Sequence, residues 1–148
     1  LVLPFTTFIS GNFLDGFGVD ANATIIDSSV EVIDREDEDL PFFRQPQKIY
    51  NVAFYYQKYG FSARIAWNYQ DDSLRDLSGA ADEDQWDMTR SYADVQASYK
   101  INENFTIYAN WKNITNEPKN RSYGPEGRYM RRSETYGSDI RAGIRFLF

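Results

Sequence analysis

Nine consecutive residues alternate between two kinds of side chain: Phe61-Ser62-Ala63-Arg64-Ile65-Ala66-Trp67-Asn68-Tyr69. The odd-numbered positions carry apolar or aromatic side chains, whereas the even-numbered positions carry small or polar ones. Successive side chains of a β-strand point to opposite faces, whereas a helix would scatter both groups around its circumference. The stretch therefore predicts a β-strand with one apolar face.

The same period of two recurs along the chain and predicts six strands in all. Their approximate ranges are 16–29, 48–58, 60–70, 89–101, 104–113 and 133–148. Two of the connections are tight turns, and the other three are long, at about 30–47, 71–88 and 114–132. Short turns at one end of a sheet and long loops at the other are typical of outer-membrane barrels.

Six strands are too few to close a membrane barrel, because single-chain barrels start at about eight strands. An open sheet would expose unpaired strand edges to lipid, which offers no hydrogen-bonding partners. The predicted fold class is therefore all-β. More specifically, we expect an antiparallel transmembrane β-barrel segment that supplies about six strands of a larger barrel.

The two faces of the predicted strands differ in character. The apolar face carries no charge, and its aromatic residues cluster near both strand ends. Those toward the long loops are Tyr50, Trp67, Tyr69, Trp111 and Tyr136. Those toward the short turns are Tyr56, Phe61, Tyr99, Phe105, Phe146 and Phe148. Two aromatic belts match the interfacial girdles of membrane barrels, although a soluble β-sandwich also has one apolar face and stays open as an alternative.

The amino-acid composition excludes several classes of function. The chain has 148 residues, with 16 Lys+Arg against 22 Asp+Glu, a net charge of -6, and neither cysteine nor histidine. The acidic balance argues against a nucleic-acid binder. Without cysteine or histidine, the chain cannot build a disulfide, a thiolate nucleophile, a zinc–thiolate site or a histidine general base. We therefore expect neither enzymatic activity nor a cofactor.

Five short phrases, in order along the chain, carry a resemblance to a known family. They are Gly16-Phe17-Gly18-Val19, Tyr59-Gly60-Phe61-Ser62-Ala63-Arg64, Asn113-Ile114-Thr115-Asn116-Glu117-Pro118, Tyr123-Gly124-Pro125-Glu126-Gly127-Arg128-Tyr129, and Tyr136-Gly137 leading into Gly143-Ile144-Arg145-Phe146-Leu147-Phe148. In this order, and with an aromatic residue at the terminus, they resemble the carboxy-terminal end of a TonB-dependent outer-membrane transporter (receptor). The resemblance covers about residues 16–148, and residues 1–15 would end a preceding strand and form a periplasmic turn.

The resemblance implies a barrel of about 22 strands with an amino-terminal plug domain, located in the outer membrane of a Gram-negative bacterium. It implies uptake of a scarce ligand, such as a ferric chelator, a vitamin or an oligosaccharide, with energy derived from TonB. The implied partners are the rest of the barrel and its plug, the TonB complex through that plug, outer-membrane lipid and lipopolysaccharide, and the barrel assembly machinery. That machinery would recognise the last strand through Ile144, Phe146 and Phe148.

The long loops carry the candidate ligand-binding residues. Loops 30–47 and 71–88 are acidic, and hard cations prefer carboxylate oxygens. A cation contact would use Asp37, Asp39, Asp82 and Asp84. A solvated acidic surface is the alternative, and no firm metal site is predicted. The last loop is basic, so its arginines would contact an anionic ligand or a lipopolysaccharide phosphate, or else pair with the acidic loops. The ligand-binding candidates are Phe42, Phe43, Trp86, Tyr123, Arg121, Arg128 and Arg131.

Charged residues on the inner face of the strands are expected to line the lumen and to pack against the plug. They are Arg64, Asp94, Lys100, Lys112, Arg141 and Arg145. Two other functions stay open. A soluble β-sandwich that acts as a carbohydrate-binding module would not need detergent, and a passive porin-like barrel built from several chains would have no plug.

Overall fold

The computed structural model describes residues 2–9, 15–124 and 127–148. Its regular structure consists of β-strands and one short 3-10 turn, Ala81–Glu83. The strands are β1 Val2–Ile9, β2 Phe17–Ile25, β3 Lys48–Lys58, β4 Phe61–Gln70, β5 Ser73–Asp76, β6 Gln85–Asp87, β7 Arg90–Lys100, β8 Phe105–Lys112, β9 Lys119–Tyr123, β10 Tyr129–Glu134 and β11 Asp139–Phe146. No helix among the described residues has both the length and the apolar character to cross a membrane.

Seven strands form one antiparallel sheet in the order β1-β2-β3-β4-β7-β8-β11. The sheet is open, and β1 and β11 lie at its two edges. The expectation of an all-β, antiparallel fold is confirmed. The predicted second to fifth strands agree with β3, β4, β7 and β8 within one residue at either end, whereas the first predicted strand extends past the end of β2 at Ile25.

Four short strands form a second sheet in the order β10-β9-β6-β5, which we call the small sheet. The sequence predicts loops at 71–88 and 114–132, and the structure instead forms these strands largely within them. The predicted last strand, 133–148, also differs, because residues 133 and 134 end β10 and β11 begins at Asp139. The small sheet escapes detection because its strands are short and the register shifts at Arg75 and Arg131 interrupt the alternation.

One end of the larger sheet carries tight turns, and the other end carries three long connections. Tyr59 and Gly60 have φ values of 53° and 78°, the conformation of a two-residue type I′ hairpin. The long connections start and end at paired residues: Ile25 with Lys48, Gln70 with Arg90, and Lys112 with Asp139. These connections are 26–47, 71–89 and 113–138, the first, second and third loops, and we call them together the loop cap.

Two glycines make room for two tyrosine rings on the polar face of the larger sheet. Tyr55 lies opposite Gly18, and Tyr108 lies opposite Gly143. A Cβ atom built at Gly18 would lie 2.3 Å from Cζ of Tyr55, and one at Gly143 would lie 2.6 Å from Oη of Tyr108. Each ring therefore covers the backbone of its glycine, in space that any other residue would need.

The larger sheet leaves its apolar face uncovered. Phe54, Ile65 and Ile144 are 60%, 53% and 69% exposed, whereas Ala53 and Ala66 on the opposite face are only 3% and 4% exposed. The other buried side chains belong to the loop cap: Leu40, Ser73, Leu74, Asp84 and Ser122. Burial in the described residues is therefore concentrated in the loop cap and on the polar side of the sheet.

Candidate functional site

Arg35, in the first loop, and Asp84, in the second, hold two parts of the loop cap together. Nη1 and Nη2 of Arg35 donate to Oδ1 and Oδ2 of Asp84 at 2.9 and 2.7 Å. The same guanidinium donates to Glu38 through Nε at 3.0 Å and through Nη2 at 2.5 Å. A guanidinium that bonds carboxylates in this fork geometry makes strong and directional contacts. We call Arg35, Glu38 and Asp84 the Arg35 clasp.

Arg35 and Asp84 are largely removed from water, whereas the Glu38 side chain at the edge of the clasp is 39% exposed. The side chain of Arg35 is 9% exposed, and that of Asp84 is 2% exposed. Hydrogen bonds to Asp84, and after them those to Glu38, raise the pKa of the Arg35 guanidinium above its ordinary value. The hydrogen bond from Arg35 lowers the pKa of the Glu38 carboxyl below its ordinary value. Both pKa shifts favour the charged forms, so Arg35 and Glu38 form an ion pair at neutral pH.

Two of the four carboxylates that were expected to contact a cation, Asp84 and Asp82, are bound to arginines instead. Both carboxylate oxygens of Asp84 already accept hydrogen bonds from Arg35. Asp82 accepts from an arginine of the third loop at 3.1 Å. Asp37 and Asp39 line a shallow cavity of about 270 Å³ together with other acidic residues. Within the part of the chain that the structure describes, no group of three or more acidic side chains is placed to hold a metal ion.

A row of alternating charges crosses the small sheet. Asp87 on β6 accepts from Arg75 at 3.0 Å and from Arg121 on β9 at 3.1 Å. Arg121 lies 4.0 Å from Glu134 on β10, and Glu134 pairs with Arg132 at 2.6 Å. Opposite charges on adjacent strands favour strand pairing. The small sheet is therefore aligned in large part by charge.

The three arginines that the sequence predicts to bind ligand are all engaged within the loop cap. Arg121 belongs to the charge row, and Arg128 donates to a carboxylate of the second loop at 3.1 Å. Arg131 donates to Oε1 of Gln85, and its guanidinium lies 5.3 Å from the centre of the Tyr123 ring. Of the two expectations for the basic loop, pairing with the neighbouring acidic loop is the one seen in these contacts.

The four aromatic candidates lie in different surroundings. Phe42 and Phe43 are exposed in the first loop. Trp86 lies on β6 opposite Leu74, and its Nε1 is buried with no partner among the described residues. Trp86 is thus half-buried within the small sheet instead of being presented on its surface. Tyr123 lines a cavity between two loops.

That cavity has a volume of about 440 Å³ and opens between the second loop and the β9–β10 hairpin. Its lining residues are Ser78, Asp82, Glu83, Gln85, Tyr123 and Tyr129, and we call it the tyrosine pocket. Asp82 and Tyr123 were predicted from the sequence as site residues, whereas the other four were not. Tyr129 enters the pocket because it pairs with Tyr123 across the hairpin. Residues 129–134 do not alternate between apolar and polar side chains, so the sequence carries no clear signal for this pairing.

The polar face of the larger sheet lines a second cavity, of about 650 Å³. Arg64 and Arg145, two of the predicted lumen residues, lie in its lining together with Asp20 and Gln96. The other four predicted lumen residues are outside this lining: Asp94, Lys100, Lys112 and Arg141. Arg141 instead pairs with Asp139 at 2.8 Å on its own strand.

No family model, curated protein or solved structure matches the chain.

Asn113 closes the third loop at its base. Its φ is 51°, and its side-chain Nδ2 donates to the carbonyl groups of Glu117 at 3.1 Å and Gly137 at 3.3 Å. Its Oδ1 accepts the backbone N–H of Glu117 at 2.9 Å. Asp94 accepts the backbone N–H of Asn113 at 2.8 Å, so this predicted lumen residue has a structural contact.

The predicted assembly residues lie at the edge of the larger sheet. Ile144 and Phe146 belong to β11, which pairs with β8 on one side and with no strand of the described residues on the other. The Phe146 ring lies 4.6 Å from that of Phe105 and 4.7 Å from that of Phe148, measured between ring centres. Their recognition by assembly machinery stays a prediction.

Proposed function

We propose that the larger sheet is part of the wall of a transmembrane β-barrel in a bacterial outer membrane, and that the chain belongs to a TonB-dependent transporter. The observation that carries this proposal is that the larger sheet exposes an apolar face and has a polar face on its other side. The large apolar side chains of one face are exposed, whereas the opposite face carries the polar and charged residues, which line the cavity of about 650 Å³. A β-barrel in lipid has this arrangement, because lipid contacts its outer surface and water or a plug fills its lumen.

A soluble β-sandwich would bury the apolar face against a second sheet. Phe54, Ile65 and Ile107 remain exposed although the chain has a second sheet. Soluble proteins rarely expose large contiguous apolar patches. This favours the barrel over the carbohydrate-binding sandwich as the architecture.

Aromatic contacts at both ends of the apolar face also support the barrel. At the short-turn end, the ring pairs are Phe17–Tyr56 at 4.7 Å, Tyr56–Phe61 at 6.1 Å and Phe105–Phe146 at 4.6 Å. At the loop end, they are Tyr50–Tyr69 at 5.6 Å and Trp67–Tyr69 at 6.0 Å. The strand rises about 20 Å between Tyr50 and Tyr56, at roughly 3.3 Å per residue. Membrane barrels place aromatic girdles on either side of an apolar band of similar height, ~25 Å.

In this proposal the loop cap faces the outside and captures a scarce ligand. The ligand passes inward when TonB pulls on a plug that belongs to another part of the polypeptide. Arg64 and Arg145 face the lumen and the plug, and the apolar face contacts lipid and lipopolysaccharide. The ordered phrases of the sequence, including the one that starts at Asn113, support the assignment to this family over a passive porin.

Spin labels on neighbouring residues of one strand test the orientation of the wall. The chain contains no cysteine, so single cysteines can be introduced without removing any from it. In liposomes that contain the native polypeptide, Ile65→Cys should give a label accessible to oxygen but not to a water-soluble nickel chelate. The adjacent Arg64→Cys should give the reverse, because successive side chains point to opposite faces. Equal accessibility at the two sites, with a protein that stays in solution without detergent, would contradict the barrel.

The denatured mass of the polypeptide from detergent-solubilised membranes tests the transporter assignment. At about 25 residues per strand, a barrel of about 22 strands needs roughly 540 residues before any plug. We expect a mass several times the 17.2 kDa of this chain. A mass near that value, in a protein that requires detergent, would support the multichain barrel instead.

A further inference from the structure

We propose that the tyrosine pocket binds a neutral oligosaccharide. The inference rests on the proposed function, since it assigns a chemical class to the ligand that the loop cap would capture. The cavity volume of about 440 Å³ lies within the range of small-molecule sites, roughly 300 to 1,000 Å³. Its lining combines aromatic rings with hydrogen-bonding groups and contains no aliphatic side chain.

One wall of the pocket is a row of three side chains on one face of the small sheet. Gln85 pairs with Tyr123, and Tyr123 pairs with Tyr129, across the strands β6, β9 and β10. Tyr129 is 55% exposed, so its ring is accessible to a ligand. A tyrosine offers a rigid apolar ring with a polar tip, which suits a sugar that has an apolar C–H face and hydroxyl groups at its edge.

The opposite rim is polar. Asp82 accepts from Nη1 of Arg128 through Oδ1 at 3.1 Å, and Glu83 accepts from the hydroxyl of Ser78 through Oε2 at 3.2 Å. The other oxygen of each carboxylate has no partner among the described residues. Carboxylate oxygens accept strong hydrogen bonds from hydroxyl groups, and a sugar presents several hydroxyl groups.

The charges of the pocket favour a neutral ligand over a charged one. An anionic chelate would meet the carboxylates of Asp82 and Glu83, which lie in the lining. The nearby cations are already engaged: Arg128 with Asp82, and Arg131 with Gln85 and the Tyr123 ring. Because Arg131 lies over the Tyr123 ring, a cationic ligand at that ring face would meet a like charge, and the exposed ring of Tyr129 is the one that a sugar would contact.

The Arg35 clasp holds the two sides of the pocket in position. Asp84 accepts the backbone N–H of Ser78 through Oδ1 at 2.9 Å, and its carbonyl oxygen accepts the backbone N–H of Gly124 at 2.9 Å. Ser78 belongs to the rim, and Gly124 follows Tyr123 directly. Since both sides are fixed through one buried residue, little ordering is needed when a ligand binds, which improves affinity.

Calorimetric titration of the detergent-purified native polypeptide tests the proposal. The probes are the hexamers of neutral glucose, xylose and mannose chains, with hexagalacturonate as the anionic comparison and a glucosamine hexamer as the cationic one. We expect saturable binding of at least one neutral hexamer. Tyr129→Ala and Asp82→Asn should each weaken it about tenfold or more, as removal of a central contact does.

Two matched variants serve as controls. Tyr59→Ala removes an exposed tyrosine at the opposite end of the sheet, and Asp27→Asn neutralises an exposed carboxylate outside the pocket. Both should leave the binding constant unchanged. Failure of every neutral hexamer to bind, a preference for either charged hexamer, or equal effects of pocket and control variants would overturn the proposal.

The spin-label accessibility of Ile65→Cys and Arg64→Cys in liposomes, measured beside the sugar titration, distinguishes failure of this proposal from failure of the proposed function. Alternating accessibility without sugar binding would overturn only the assignment of the tyrosine pocket. If sugar binding depends on Tyr129 but the labels at Ile65 and Arg64 are equally accessible, the assignment of the pocket stands and the membrane barrel is wrong.

Discussion

Arg35 and Asp84 lie 49 positions apart in the chain and are joined by two hydrogen bonds of 2.9 and 2.7 Å. Arg35 belongs to the first loop and Asp84 to the second. The carbonyl oxygen of Asp84 also accepts the backbone N–H of Gly124, in the third loop. One buried residue therefore joins all three loops of the cap.

Removal of Arg35 would leave the carboxylate of Asp84 buried without its positive partner. We expect Arg35→Ala to reduce the stability of the loop cap against local opening by about 3 to 5 kcal/mol. Hydrogen exchange of the Gly124 amide measures this opening. Arg44→Ala is the matched control, because the Arg44–Asp76 ion pair is exposed and should contribute less than about 1 kcal/mol. Unchanged exchange at Gly124 in Arg35→Ala would contradict the prediction.

Glu38 gives the clasp a dependence on pH. Arg35 lowers the pKa of Glu38 in the folded protein. The contribution of Glu38 to stability is therefore complete above its unfolded pKa of about 4.3 and is lost as the pH falls through the lower folded pKa. We expect the loop cap to loosen in this acidic range, and Glu38→Gln should remove that part of the pH dependence.

The fluorine NMR signal of fluorotryptophan at Trp86, inside the small sheet, reports the acid transition. Trp86→Phe assigns the signal. Glu31→Gln, which neutralises an exposed carboxylate of the same loop, should leave the transition in place. If the Trp86 signal shows the same pH dependence in Glu38→Gln and in Glu31→Gln, the assignment of the transition to the clasp is wrong.

The tyrosine ring over Gly18 makes that glycine sensitive to substitution. In Gly18→Ala, the new methyl group would meet the Tyr55 ring at 2.3 Å, so the ring must move away from the strand. Overpacking of this kind costs about 1 to 3 kcal/mol in the free energy of unfolding. Denaturant unfolding of the reconstituted polypeptide measures the change.

Gly79→Ala is the control for this substitution. A Cβ atom at Gly79 meets nothing within 4 Å, and Gly79 has no positive φ. Its substitution should leave stability unchanged or raise it by up to about 1 kcal/mol, because alanine restricts the unfolded chain. Equal unfolding midpoints for Gly18→Ala and Gly79→Ala would show that the Tyr55 ring moves at no cost.

The free energy of unfolding of Ile65→Lys tests whether the apolar face contacts lipid. A lysine on the lipid face of a membrane barrel costs about 2 to 4 kcal/mol near the middle of the bilayer. We expect Ile65→Lys to destabilise the reconstituted protein by an amount in this range. Ser62→Lys, on the polar face of the same strand, should be tolerated. Similar unfolding free energies for the two variants would contradict a lipid-facing Ile65.

Four strands of the larger sheet, β3, β4, β7 and β8, could be predicted closely from the sequence because each pattern is local. In β4 the alternation from Phe61 to Tyr69 is complete, and the turn at Tyr59 and Gly60 marks where the strand begins. Every residue needed for the prediction lies within the strand or next to it. The small sheet lacked such a signal, because β6 has three residues and β10 contains a bulge near Arg131.

The candidate site was predictable only in part, for a related reason. Tyr123 and Asp82 could be identified as an aromatic ring and a carboxylate in long loops. The place of Tyr129 depends on the β9–β10 pairing, and the function of Arg35 depends on a contact with the second loop. Contacts between distant loops leave no periodic pattern in the sequence, so residue type alone does not reveal which arginine is buried.

The pairing pattern of the two sheets also has a kinetic consequence. In the larger sheet, β3 pairs with β4 and β7 pairs with β8, each across a tight turn, whereas in the small sheet β6 pairs with β9, more than 30 positions further on. Short loops close faster than long ones, because less chain entropy is lost. We therefore expect the hairpins of the larger sheet to form early and the loop cap to close last, so a slow phase after the sheet has assembled should report on the cap alone.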